Sequence, residues 1–148
     1  MPEYGISQDE EGLLPWSWAR ERLQKSHNYW VSTTRPDGRP HTTAVWGVWL
    51  DDIFYFSMAG NSRKARNLAG NPNCVVSTER ADEAVIVEGT FLGLADGDLQ
   101  QPVRLAYKEK YNWDTEGYDF YAVQPRVAFA FTESACDFTR TATRWRFL

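Results

Sequence analysis

The chain has 148 residues, 43% hydrophobic and 24% charged, which fits one globular domain with a sizeable core. A formal net charge of -4 excludes a general nucleic-acid binder, and no apolar run reaches the length of a membrane span. With 7 Trp, 7 Tyr and 8 Phe, the aromatic content exceeds what a core of this size needs, so some rings are expected in a ligand pocket or a subunit interface.

Residues 1–13 are polar and acidic and are expected to form an arm. Glu3, Asp9, Glu10 and Glu11 are unlike a signal peptide, which points to the cytoplasm. Leu14-Pro15-Trp16 opens a predicted helix, with Pro15 suited to the first turn and Trp16, Ala19 and Leu23 at helical spacing. Tyr29 to Thr34 is β-branched and aromatic and reads as a strand, followed by an Arg35-Pro36-Asp37-Gly38 turn. Thr42–Leu50 and Ile53–Ser57 read as two more strands joined tightly at Asp51-Asp52, giving an antiparallel meander of three. Ser62 to Ala69 is a short helix, with Ser62 as N-cap, Gly70 at its end and Pro72 beyond. Two strands follow, at Cys74–Thr78 and Ala84–Leu92, then a helix over Asp96–Tyr111. Alternation at Val127, Phe129 and Phe131, and again over Ala142–Phe147, predicts the last strands. Six or seven strands with few helices suggest a closed or nearly closed barrel.

Three segments are candidates for chemistry. Ser62-Arg63-Lys64-Ala65-Arg66 places a hydroxyl and three cations at a helix start, where free N–H groups attract an anion. It is either a phosphate clamp or a solvated basic face. Val45-Trp46-Gly47-Val48-Trp49 sets a glycine between two indoles inside an apolar strand. That often marks the close approach of another backbone or a ligand, and the alternative is a barrel strand with aromatic core residues. Alternation places Val45, Gly47 and Trp49 on one side and Trp46 on the other. Thr143 to Phe147 is either a barrel strand or a lid over a pocket, with Trp145 as its flat ring. The two histidines, His27 and His41, lack the clustered ligands of a metal site, and His41 suits a pocket edge. Cys74 and Cys136 lack metal-ligand spacing and read as buried thiols, with a bridge between them left open. There is no GxSxG, P-loop or GxGxxG, so nucleophilic catalysis has no visible carrier, and a cofactor would have to supply the chemistry.

In order, Trp30–His41, Val45–Trp49, Phe54–Ser57, Ser62–Leu68 with Asn71-Pro72, and Val87-Glu88-Gly89 resemble the split-barrel flavin-binding superfamily related to pyridoxamine 5'-phosphate oxidase. The resemblance implies a mainly β fold, a six-stranded antiparallel split barrel with a few flanking helices. It also implies a homodimer with a cofactor, FMN or the deazaflavin coenzyme F-420, in each of two interface clefts. Ser62, Arg63 and Lys64 would hold phosphate. Val45, Trp46 and Gly47 would border the ring, with His41 and Ser57 nearby and Trp145 contributed by the other subunit. The Thr42–Leu50 strand has no Arg or Lys, and no His lies beyond position 41, unlike true pyridoxamine phosphate oxidases. The short chain, with Lys110-Tyr111 and Thr143-Arg144-Trp145, looks more like the F-420-dependent reductases. The expected activity is hydride transfer to or from a small unsaturated or quinone-like substrate. A non-catalytic flavin carrier or sensor, and a haem-handling relative using His27 or His41, are the alternatives.

Overall fold

A computed structural model describes residues 13–133 and 138–147. The expected arm over 1–12 and any pairing of Cys136 lie outside the described residues. Cys74 is a buried free thiol, and burial pushes its pKa up to about 11.

Helix α1 (Trp16–Lys25) buries Ala19 and Leu23, while Pro15 sits one residue before the first turn, at the cap. Strand β1 (Tyr29–Thr34) buries alternate residues, as its pattern predicts. The predicted strand over 42–50 is divided into β2 (Pro40–Val45) and β3 (Val48–Leu50), with Trp46 and Gly47 between them. Then come β4 (Ile53–Ser57), α2 (Arg63–Gly70), β5 (Asn73–Thr78), β6 (Glu83–Leu94) and α3 (Gly97–Tyr111). The chain closes on β7 (Phe120–Thr132), α4 (Phe138–Thr141) and β8 (Thr143–Arg146).

All strand pairs are antiparallel, in the order β2-β1-β5-β6-β7-β4-β3, with β8 added to β7. The expected three-stranded meander is present with its middle strand interrupted, since β1 pairs β2 and β4 pairs β3, and β2 and β3 stand at opposite ends of this path. Only Trp46 and Gly47 separate them in the chain, so the two ends of the sheet lie within about 11 Å of each other. The sheet must curl until its ends meet, and counting β2 and β3 as one interrupted strand gives the six strands of a split barrel plus the short β8.

Two clusters fill it. Inside the barrel are Tyr29, Val31, Trp49, Phe54, Phe56, Val76, Val85, Val87 and Val123, closed at the ends by Leu23 and Leu68. Outside, α3 packs Val103 and Tyr107 on Val48, Tyr55, Phe120 and Ala122. The predicted alternation survives the strand break: Val45 and Trp49 pack on the first cluster, Trp46, Val48 and Leu50 on the second. Strand β7 begins seven residues before the predicted Val127, because Pro125 is accommodated beside a bulge of β7 itself, where Arg126 is the extra residue opposite Glu88/Gly89 of β6.

Candidate functional site

The first group of site residues gathers where β2 begins and α2 starts. Ser62 is extended (φ -66, ψ 159) and its Oγ accepts the Ala65 N–H at 3.2 Å, so the helix start is capped as the sequence predicts. Ala65, Asn67 and Leu68 turn inward, which leaves Arg63, Lys64 and Arg66 toward the surface. Arg63 shares a cleft with Arg35, Pro36, Asp37 and Arg39 of the β1–β2 turn, where Gly38 supplies the positive φ of 89°. Arg39 is paired with Asp37 at 2.8 Å. Among the described residues, Arg35, Arg63 and Lys64 form no ion pair.

His41 lies opposite Thr33 in the β1–β2 ladder, and Thr43 opposite Val31. Burial, then the nearby charges of Arg35, Lys64 and Arg63, hold the His41 imidazole below its usual pKa, so it is neutral at physiological pH. Its Nδ1 is buried without a hydrogen-bond partner, as are Thr43 Oγ1 and Asn67 Oδ1. Asn67 is 1% exposed and donates from Nδ2 to Thr33 Oγ1 at 3.0 Å. The three uncompensated cations fit an anion, while the orphaned Asn67 Oδ1, which can only accept, fits a hydroxyl or other donor of the same polar ligand. Sequence reasoning missed Arg35, Thr43 and Asn67. The available signal was Asn67 itself, a polar residue on the buried arc between Ala65 and Leu68.

The second group lies at the other end of β2, about 13 Å from His41 by strand rise. Val45 faces the barrel interior with Tyr29. Trp46 leaves the ladder and stacks flat on Tyr111, with centroids 4.5 Å and planes 2° apart, flanked edge-on by His27 and Trp113. The close approach signalled by Gly47 is made by the protein itself: a Cβ there would stand 2.3 Å from the Phe54 ring and 2.9 Å from the Tyr55 carbonyl oxygen. Both polar groups of Gly47 are also taken, by Tyr111 and Lys110. Burial lowers the Lys110 ammonium to about 8 and raises the Tyr111 hydroxyl to about 12. What β2 still offers along its length is its free edge, because it pairs only with β1.

Ser57 ends β4 opposite Phe120, at the start of the loop that leads to Ser62. Trp145 is placed apart from both groups. It lies in β8, opposite Ala128, with its ring 5.2 Å from that of Trp16. The lid expectation is thereby corrected to the barrel-strand alternative, because four ladder pairs and the Trp16 contact hold the segment on its own sheet. Among the described residues there is no group of three or more metal-ligating side chains, and no helix is long and apolar enough to cross a membrane.

Comparison with known proteins agrees with the fold. The model of the pyridoxamine 5'-phosphate oxidase family matches residues 18–140. No curated protein matches the sequence. Among solved structures, one described as an F-420 reductase superposes with a TM-score of 0.58 at 22% identity, covering 74% of this chain and 94% of the other. A conserved hypothetical protein from Mycobacterium tuberculosis gives 0.74 at 19% identity, covering 87% and 91%. HutZ, a haem storage protein from Vibrio cholerae, gives 0.60 at 17% identity, covering 75% and 87%. At these identities the structures establish the fold. The family match spans most of the chain, and with the curled six-stranded sheet it shows that the chain belongs to the pyridoxamine 5'-phosphate oxidase family of flavin-binding split barrels.

Proposed function

We propose that the protein is an oxidoreductase that binds coenzyme F-420 or FMN along strand β2, as part of a homodimer. The observation that carries this reading is the meeting, at one end of β2, of a capped helix start, three uncompensated cations and three orphaned buried polar atoms. In this reading the N–H groups of α2, with Arg63 and Lys64, bind the phosphate. His41, Thr43 and Asn67 offer hydrogen bonds beside it, and the free edge of β2 offers backbone groups to a ring system. Arg35 adds positive charge beyond what a single phosphate needs, which favours the more acidic F-420 over FMN. When bound, the cofactor supplies hydride transfer to or from a small unsaturated or quinone-like substrate. The chain's part is to bind, orient and exclude water. Vitamin B6 oxidation is not proposed, because Pro40–Val45 carries no Arg or Lys.

Titration of the purified protein with FMN and with F-420, followed by fluorescence, tests the reading. A quinone reduction assay with the better ligand then tests turnover. Saturable binding with turnover is the expected result. Binding without turnover would identify a carrier or sensor. A Soret band on haemin titration with no flavin or deazaflavin binding would assign the protein to haem handling.

A further inference from the structure

We propose that Lys110 and Tyr111 are positioning residues for the cofactor: from the end of α3 they clamp the Gly47 peptide and so fix the free-edge strand on which the ring system would lie. The inference rests on the reading of the β2 site given above.

Strand β2 is held by a ladder on one side only, through β1. Its C-terminal end runs into Trp46 and Gly47, which belong to no strand. Side chains take over there. The Gly47 N–H donates to Tyr111 Oη at 2.9 Å, and the Gly47 carbonyl accepts from Lys110 Nζ at 2.9 Å. Tyr111 Oη lies 2.8 Å from both the Gly47 and the His27 carbonyls, and has one proton to give. Because Lys110 already serves the Gly47 carbonyl, that proton is free to hold His27. Lys110 Nζ also donates to Tyr29 Oη at 2.7 Å, and Tyr29 donates onward to the Leu23 carbonyl. One network therefore joins α1, β1, the β2–β3 crossover and α3. The Phe54 ring closes the other side of Gly47, leaving the crossover no space to shift inward. The clamp needs only two donors from Lys110, which the neutral amine also has. Its hold thus does not depend on the ammonium charge.

The test uses Lys110→Met and Tyr111→Phe, the latter removing a single oxygen and serving alone if the former does not fold. Gly47 amide hydrogen exchange is measured without ligand. Affinities are measured for FMN and riboflavin, and for F-420 and its phosphate-free deazaflavin alcohol. The expected result is faster exchange at Gly47, with binding of the phosphorylated and phosphate-free member of a pair weakened by the same factor, about 3- to 10-fold. Lys64→Met, as comparison, should weaken only the phosphorylated member. A purely structural role would lower the melting temperature and leave affinities well below it unchanged. Faster exchange with unchanged affinity therefore overturns the proposal, as does a loss confined to the phosphorylated ligands. If the wild type binds none of the four compounds, the site reading fails and the proposal with it, which shows before any variant is made.

Discussion

Lys64 stands half-buried on the first turn of α2, with no carboxylate beside it among the described residues. Lys25 makes the contrast: it lies exposed on α1 and is paired with Glu21 at 2.6 Å. Lys64→Ala is expected to weaken cofactor binding by about 1.5–3 kcal/mol, the range for a hydrogen bond to a charged group, while Lys25→Ala leaves it unchanged. Equal, small effects in a binding titration would remove Lys64 from the site. Asp52 carries a different weight. It accepts two bonds from Arg20, both at 3.0 Å, and one from each of the Trp16 and Trp49 indoles at 3.3 Å. It also shares a two-residue hairpin turn with Asp51, at φ 59° and 50°. Asp52→Asn keeps a residue tolerant of that backbone and removes the charge. The Arg20 hydrogen bond, first, and the two indoles hold the Asp52 carboxyl below the usual carboxylate range, with burial opposing them. Its stabilising effect is present above the unfolded value near 3.9 and is lost as pH falls through the lower folded value. The variant should therefore be less stable at pH 7 by about 1–2 kcal/mol, with the gap closing toward acid. Denaturant melts at pH 7 and pH 3 check this, and a gap that is constant with pH would remove the charge from the argument.

At the scale of elements, those with one clean period were legible in the sequence. Tyr29–Thr34 alternates without interruption, and Ser62 caps α2 where the local pattern placed it. The β2–β3 crossover was not legible, since Thr42–Leu50 keeps its two-residue alternation through the break. What divides it is the distant Phe54 ring and the side chains of α3. The start of β7 was hidden for a similar reason: Pro125 reads as a strand breaker until the bulge at Arg126, set by the register with β6, is known. The same limit applied to the site. The cap and cations of α2 are local and could be read, whereas Arg35, Thr43 and Asn67 join them only through the ladder and helix packing. The C-terminal segment gives the sharpest test. Strand β8 pairs Thr143–Arg146 with Val127–Ala130, and the Phe147 N–H donates to the Arg126 carbonyl at 2.8 Å. Phe147 and Trp145 both pack edge-on against Trp16, and Thr143 Oγ1 accepts the Leu14 N–H at 2.9 Å. Deleting residues 143–148 should thus bare the edge of β7 and the Trp16 ring, and the product should unfold or aggregate. A truncated protein with the wild-type circular dichroism melt would show that the strand is dispensable.

At the scale of the molecule, the outer face of the sheet carries two rows of residues in register. One runs Ala44, Trp30, Ser77, Ile86, Phe129, Arg144, and the other Thr42, Ser32, Val75, Glu88, Val127, Arg146. The centre is largely apolar, and Trp30 is 46% exposed. One end of the rows is basic, at Arg144 and Arg146, the other is Ala44 and Thr42, and Glu88 lies within the second row. An aromatic anchor on a largely apolar patch with charge at one edge has the anatomy of a protein interface. In a two-fold pair the same patch serves both partners, so Glu88 of one copy can meet Arg146 of the other. Trp30→Asp puts a charge at the centre of the patch, where pairing would bury it without a partner. The exposed position spares the interior of the barrel. The expected outcome is a folded monomer at micromolar concentration by sedimentation equilibrium, where the wild type is expected to sediment as the proposed dimer, with weaker cofactor binding if the cleft is shared. A dimer undisturbed by the substitution would move the interface elsewhere on the barrel. A wild type that is monomeric yet binds cofactor tightly would show that one chain completes the site.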